Sequence, residues 1–183
     1  MAYSPSDPYQ ALRCGDFQFR ADVDDEVTLG NLYADSIRGV EELLRRDLLE
    51  SQRASLTASI RMMRQSMQEQ GRFGDYVLVS WGGHSLRITA IMSDQQPHDL
   101  RRQLEDVARR TIAVEDLLVG GIPGVAYERH QEPIDGLSWW LSKGGCLIMC
   151  NLQGATAPTA AAVAHVRAIL ATLVHAPPPP GTN

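Results

Sequence analysis

This chain has little of several things that would announce a function. Its 183 residues include 3 cysteines, Cys14, Cys146 and Cys150, with no Cys-x-x-Cys pair. An odd number without paired spacing argues against a disulfide framework and predicts small core residues in a reducing compartment. Lys143 is the one lysine among the cations, and the formal net charge is -5. An acidic balance argues against nucleic-acid binding through overall electrostatics. No run approaches the roughly 20 apolar residues that cross a bilayer, and the N-terminus lacks the basic-then-apolar layout of a signal peptide. A soluble, cytoplasmic protein without membrane insertion is the expectation.

Catalytic motifs are missing too. Gly120-Gly121-Ile122-Pro123-Gly124 is rich in glycine but is followed by no Lys-Ser or Lys-Thr, and the next segment reads as a strand. A phosphate cradle needs a helix N-terminus there, so a structural turn is expected. Asp24-Asp25-Glu26 lacks the ligand spacing of a calcium loop. His84, His98, His130, His165 and His175 are dispersed, none at metal-ligand spacing from another His or Cys, and no Gly-x-Ser-x-Gly elbow is present. No cofactor, metal ion or catalytic residue is therefore assigned. His130 beside Glu128, or Cys146, would be the reactive groups if the protein were an enzyme.

What is present is a pattern of short strands and amphipathic helices. Phe17, Phe19, Ala21 and Val23 alternate with polar residues, so 17–23 reads as a strand buried on one face. Residues 76–81 and 86–92 flank Gly82-Gly83-His84 as a hairpin with His84 at its tip. After the Gly-rich turn, 125–129, 137–142 and 146–152 form an antiparallel meander with glycine-containing connections. Helical spacing runs over 33–67 as two helices or one bent helix. A further helix starts near Gln96-Pro97-His98-Asp99, and a closing helix carries Val163, Val166, Ile169, Leu170, Leu173 and Val174 until Pro177 ends it. The expected fold class is α+β, an antiparallel sheet packed with helices in a single domain over 14–175. A flexible arm is expected over 1–13 and a Pro-rich tail over 176–183.

The sharpest local signal is Leu137-Ser138-Trp139-Trp140-Leu141-Ser142. On a strand, adjacent tryptophans point to opposite faces. Trp139 shares its face with Leu137 and Leu141 and reads as core, whereas Trp140 shares its face with two serines. That face is either covered by another element or available as a partner anchor. Ile148 lies between Cys146 and Cys150 on one face of the next strand, and Leu147 and Met149 make the other face apolar as well. Trp140, Leu147 and Met149 are thus the candidate partner-binding residues.

The order of the Gly120 to Gly124 turn, the strand Val125-Ala126-Tyr127-Glu128, the strands at 137–141 and 146–151 and a terminal helix resembles the PsbP-like or Mog-like superfamily. The resemblance covers 114–175. It implies a binding module without catalytic residues: a cytosolic adaptor, a chaperone of type VI secretion effectors, or an immunity protein, holding a protein partner such as a secreted effector on the exposed side of the sheet. The alternative is a small enzyme or ligand sensor with an internal pocket. A structural homodimer would use the same apolar surface symmetrically.

Overall fold

The computed structural model describes residues 9–71, 73–107, 114–131, 134–154 and 156–177, with the backbone alone at 70, 97, 104–107, 128–131, 134 and 135. The main sheet begins with β3 (Glu26–Asn31), β4 (Asp75–Trp81) and β5 (His84–Met92), preceded in the chain by β1 (Tyr9–Cys14) and β2 (Phe17–Asp22). It is completed by β6 (Val114–Val119), β7 (Ile122–Gln131), β8 (Ile134–Lys143) and β9 (Cys146–Gly154). The seven strands lie in the order β3-β4-β5-β9-β8-β7-β6, every pair antiparallel. Two meanders therefore meet along β5 and β9. Three hairpins turn on Gly-Gly pairs, Gly82-Gly83, Gly120-Gly121 and Gly144-Gly145, in which both residues have positive φ. That is the backbone a two-residue hairpin with right-handed strand twist requires, and it explains why glycine recurs between the apolar runs.

Residues 17–22 form a strand with alternating burial, but Val23 lies beyond its end and is exposed, and the strand does not join the main sheet. Strand β2 pairs with β1 and with the two-residue β10 (Val174–His175) in a separate three-stranded sheet. The arm expected over 1–13 accordingly gives way to strand at Tyr9. Strands β3 and β6 alternate too weakly to be legible in the sequence.

Helix α1 (Leu32–Leu44) starts directly at the end of β3 because Asn31 caps it, its side-chain oxygen accepting from the Tyr33 and Ala34 amides at 3.0 Å. Helix α2 (Glu50–Gln70) returns along α1, so 33–67 holds two helices. Ile37 and Ile60 are the buried residues of this pair, and the outer side of α2 is exposed. Helix α3 (Pro97–Val107) lies over β6, β7 and β8 on one sheet face. Helix α4 (Ala160–Ala171) lies on the other face with Ala162, Val166, Ile169 and Leu170 buried. Thr159 caps its start, accepting from the Ala162 amide at 3.1 Å. It ends at Ala171, earlier than Pro177, because Leu173 drops into the core and Val174 turns into β10.

The main core forms between α4, the small sheet and one face of the large sheet. Phe17, Phe19, Val77, Val79, Leu86, Ile88, Leu141, Ile148 and Leu152 are all buried there. The result is one α+β fold, an antiparallel sheet packed with helices.

Candidate functional site

Trp139 and Trp140 point to opposite faces of β8, as their adjacency on a strand demands. Trp139 joins the main core. Trp140 packs on a second, smaller cluster beneath α3, with Leu100, Val114, Val125, Tyr127, Leu147 and Met149. Tyr127 meets the Trp140 indole edge-on at a centroid distance of 5.6 Å. Leu147 is buried, and Trp140 and Met149 are partly buried. The three sequence-predicted partner residues do come together, and α3 lies over the sheet where they meet.

The serines beside Trp140 had marked this face as polar. Both are buried with their hydroxyls used internally: Ser138 donates to Asn151 Oδ1 at 2.7 Å, and Ser142 donates to the Gln95 carbonyl at 2.7 Å. A buried hydroxyl with a partner is compatible with a closed face. The indole N–H of Trp140 is buried with no hydrogen-bond partner among the described residues.

The open surface lies on the opposite side of the sheet. Between α4 and the outer strands β6 to β8 runs a cleft with two adjoining lobes of about 430 and 270 Å³. Both lobes are lined by Glu115, Ala126, Trp139 and Arg167. Leu117, Val119 and Leu170 line the first lobe, Leu137 and Val163 the second. The lining is mostly apolar, with one cation, Arg167, and one anion, Glu115. Among the described residues no histidine or cysteine lines either lobe. Strand β6 bounds it and ends the sheet order, so among the described residues no strand pairs with its outer edge. Leu118 on that strand is 72% exposed.

Sequence reading missed this cleft because it depends on how α4 sits across β6 to β8. The one available signal was β6 itself, whose Val114, Leu117 and Val119 are apolar, but the intervening acids Glu115 and Asp116 and the exposed Leu118 break the alternation.

Of the candidate reactive groups, Cys146 does not line this cleft. The side chains of Glu128 and His130 lie outside the described residues. Cys146 opens β9 and is 3% exposed, its Sγ 3.7 Å from Asp16 Oδ2. Cys14 and Cys150 are also buried, and no disulfide joins the three. Burial pushes the Cys14 thiol up to about 12, and it pushes Cys150 up as well. These two thiols are poor nucleophiles.

His84 is the first residue of β5, paired with Trp81, and not a free turn tip. His165 on α4 points to the β2–β3 turn, where Nε2 lies 2.9 Å from Asp25 Oδ2 and Nδ1 lies 3.8 Å from Asp22 Oδ2. Its ring also packs on Trp81 at 4.5 Å. With both ring nitrogens facing carboxylates, this group ties α4 to the small sheet. Among the described residues no helix is long and apolar enough to cross a membrane.

A scan against protein-family models found no match, and a search of curated proteins found none either.

Proposed function

We propose that this chain is a non-catalytic protein-binding module of the cytoplasm, an adaptor, effector chaperone or immunity protein of the kind that serves a secretion system. Its occupant is an extended apolar segment of a partner protein, laid along β6 and into the α4 cleft. The observation that carries this reading is the position of a mostly apolar cleft of two adjoining lobes beside a sheet edge that, among the described residues, pairs with no strand.

A strand added to an edge gains main-chain hydrogen bonds, and its alternate side chains fall on one face of the sheet. On this edge that face is the one carrying Leu117 and Val119, which opens into the cleft. Arg167 and Glu115 flank the apolar floor and supply polar contacts that fix register. The Trp140 face, packed beneath α3, is a weaker candidate than this edge.

Photo-crosslinking from position 118 in the native host, followed by identification of the captured protein, tests the reading. The captured segment, made as a peptide, should bind the wild type and lose at least tenfold in affinity to Ala171→Trp, because Ala171 is exposed and lines the cleft. Capture of small molecules or lipid alone, or undiminished affinity in Ala171→Trp, overturns it.

A further inference from the structure

Three residues far apart in the chain meet where the small sheet joins the large one. Asp16 lies in the turn between β1 and β2, Cys146 opens β9, and His175 closes β10. One carboxylate oxygen of Asp16, the Cys146 sulfur and one ring nitrogen of His175 all lie within 4.8 Å of one another. Asp16 and Cys146 are 6% and 3% exposed. His175 Nε2 is buried with no hydrogen-bond partner among the described residues.

A buried imidazole nitrogen without a partner carries the full cost of lost hydration, on the order of 1–3 kcal/mol, so its surroundings call for an explanation. The local structure makes room for this ring. Gly144 has φ +63, and a Cβ there would come within 2.6 Å of His175 Cε1 and 3.1 Å of Nε2. The ring also packs on Phe17 at 5.3 Å. The Ala176 amide donates to the Asp16 carbonyl at 2.7 Å, and Arg13 Nη2 donates to the Ala176 carbonyl at 2.8 Å. Together these hold the end of β10 against the turn that carries the carboxylate.

The geometry points to a zinc(II) site formed by Asp16, Cys146 and His175. Thiolate, imidazole and carboxylate together are donors that zinc prefers, and the sulfur argues against magnesium or calcium. With Zn–S of about 2.3 Å and Zn–O of about 2.1 Å, a tetrahedral ion sets its sulfur and oxygen ligands about 3.6 Å apart. Cys146 Sγ and Asp16 Oδ2 stand 3.7 Å apart. The histidine closes the set by a movement of at most about 1.3 Å, since its nitrogen lies within 4.8 Å of the other two atoms and tetrahedral N···S and N···O separations are also near 3.5 Å. Three protein ligands leave one position for water.

Asp22, Asp25 and His165 form a second group of potential ligands. There, Nε2 already has Asp25 as its partner at 2.9 Å, so an ion pair accounts for the arrangement without a metal. A nucleophilic role for Cys146 beside His175 is less consistent with the burial, because a thiol at 3% exposure is out of reach of a substrate. A metal ion needs far less room. On binding, the Cys146 thiol gives its proton to solvent and the thiolate bonds to the ion. The site would pin the small sheet to the β8–β9 hairpin. The separation of Asp16 and Cys146 by 130 positions kept it from showing as a spacing motif.

Cobalt(II) and zinc(II) added to the full chain, freed of metal by chelator dialysis, provide the test. One cobalt per chain should give thiolate-to-metal charge-transfer absorption with the d–d bands of a tetrahedral site, displaced by zinc, and zinc should raise the melting temperature. His175→Asn and Cys146→Ser should each abolish the absorption and weaken metal binding at least tenfold, whereas Cys150→Ser should keep both. His175→Asn carries the test if Cys146→Ser does not fold, since His175 is only partly buried. A folded wild type without the thiolate band, the band surviving in Cys146→Ser, or unchanged metal affinity in His175→Asn overturns the site.

Discussion

Trp139 and Trp140 are neighbours in sequence yet serve two cores, Trp139 opposite Cys150 in the layer beneath α4 and Trp140 opposite Met149 in the layer beneath α3. Each β8 tryptophan therefore holds a different helix to the sheet. Trp139→Ala should cost about 3–5 kcal/mol in chemical denaturation, the usual range for deleting a buried large aromatic. Trp140→Ala should also destabilise. Trp140→Phe should lose no more than about 1 kcal/mol, because it keeps much of the ring packing and removes a buried N–H that has no partner among the described residues. A larger loss in Trp140→Phe than in Trp140→Ala would contradict this account.

Asp25 is a buried carboxylate whose Oδ2 accepts from His165 at 2.9 Å. Asp25→Ala should lower stability by about 2 kcal/mol, since a hydrogen bond to a charged group is removed and the imidazole is left facing a void. Urea unfolding measures it. His165→Phe in the same background should restore part of the loss by replacing the stranded ring with an apolar one beside Trp81.

The raised thiols set an alkaline limit. Cys14 stays protonated in the folded state up to about 12, against 9.0 for the ordinary thiol. The unfolded chain gives up that proton first, so the stability contribution is whole below pH 9 and is lost as the pH rises towards 12. Tyr76 acts in the same direction. Its hydroxyl donates to Asp35 at 2.6 Å, and that hydrogen bond, followed by burial and the Asp35 charge, raises it above the ordinary tyrosine value of 10.0. Thermal melts across this window should show falling stability, with a smaller fall in Tyr76→Phe. At pH 8, Cys14 and Cys150 should resist alkylation until the protein unfolds.

Helix α2 packs mainly on α1, and its outer side is exposed. Its amides should exchange with deuterium sooner than those of α4, which buries four residues against the sheet. Equal protection of the two helices would show that α2 is held by more than this packing.

The strands at 76–81, 86–92, 125–129, 137–142 and 146–152 were legible because each alternates or runs apolar between glycine turns, a signal confined to a few consecutive residues. The burial of Trp139, Ile148, Cys146 and Cys150 on one face follows from the same period of two. The candidate cleft was not legible, because it is the space left between α4 and three strands paired by long-range register.

The sequence by itself determined strands β2, β4, β5, β7, β8 and β9 and the four helices, and which side of β8 and β9 each side chain would take. Local backbone sterics and apolar periodicity decide both. Only the tertiary structure decided that β2 belongs to a separate sheet, that the Ser138–Trp140–Ser142 face lies under α3, and that Asp16, Cys146 and His175 meet. Those outcomes rest on contacts between segments distant in the chain, and a buried serine with a partner looks, in sequence, the same as a serine in water.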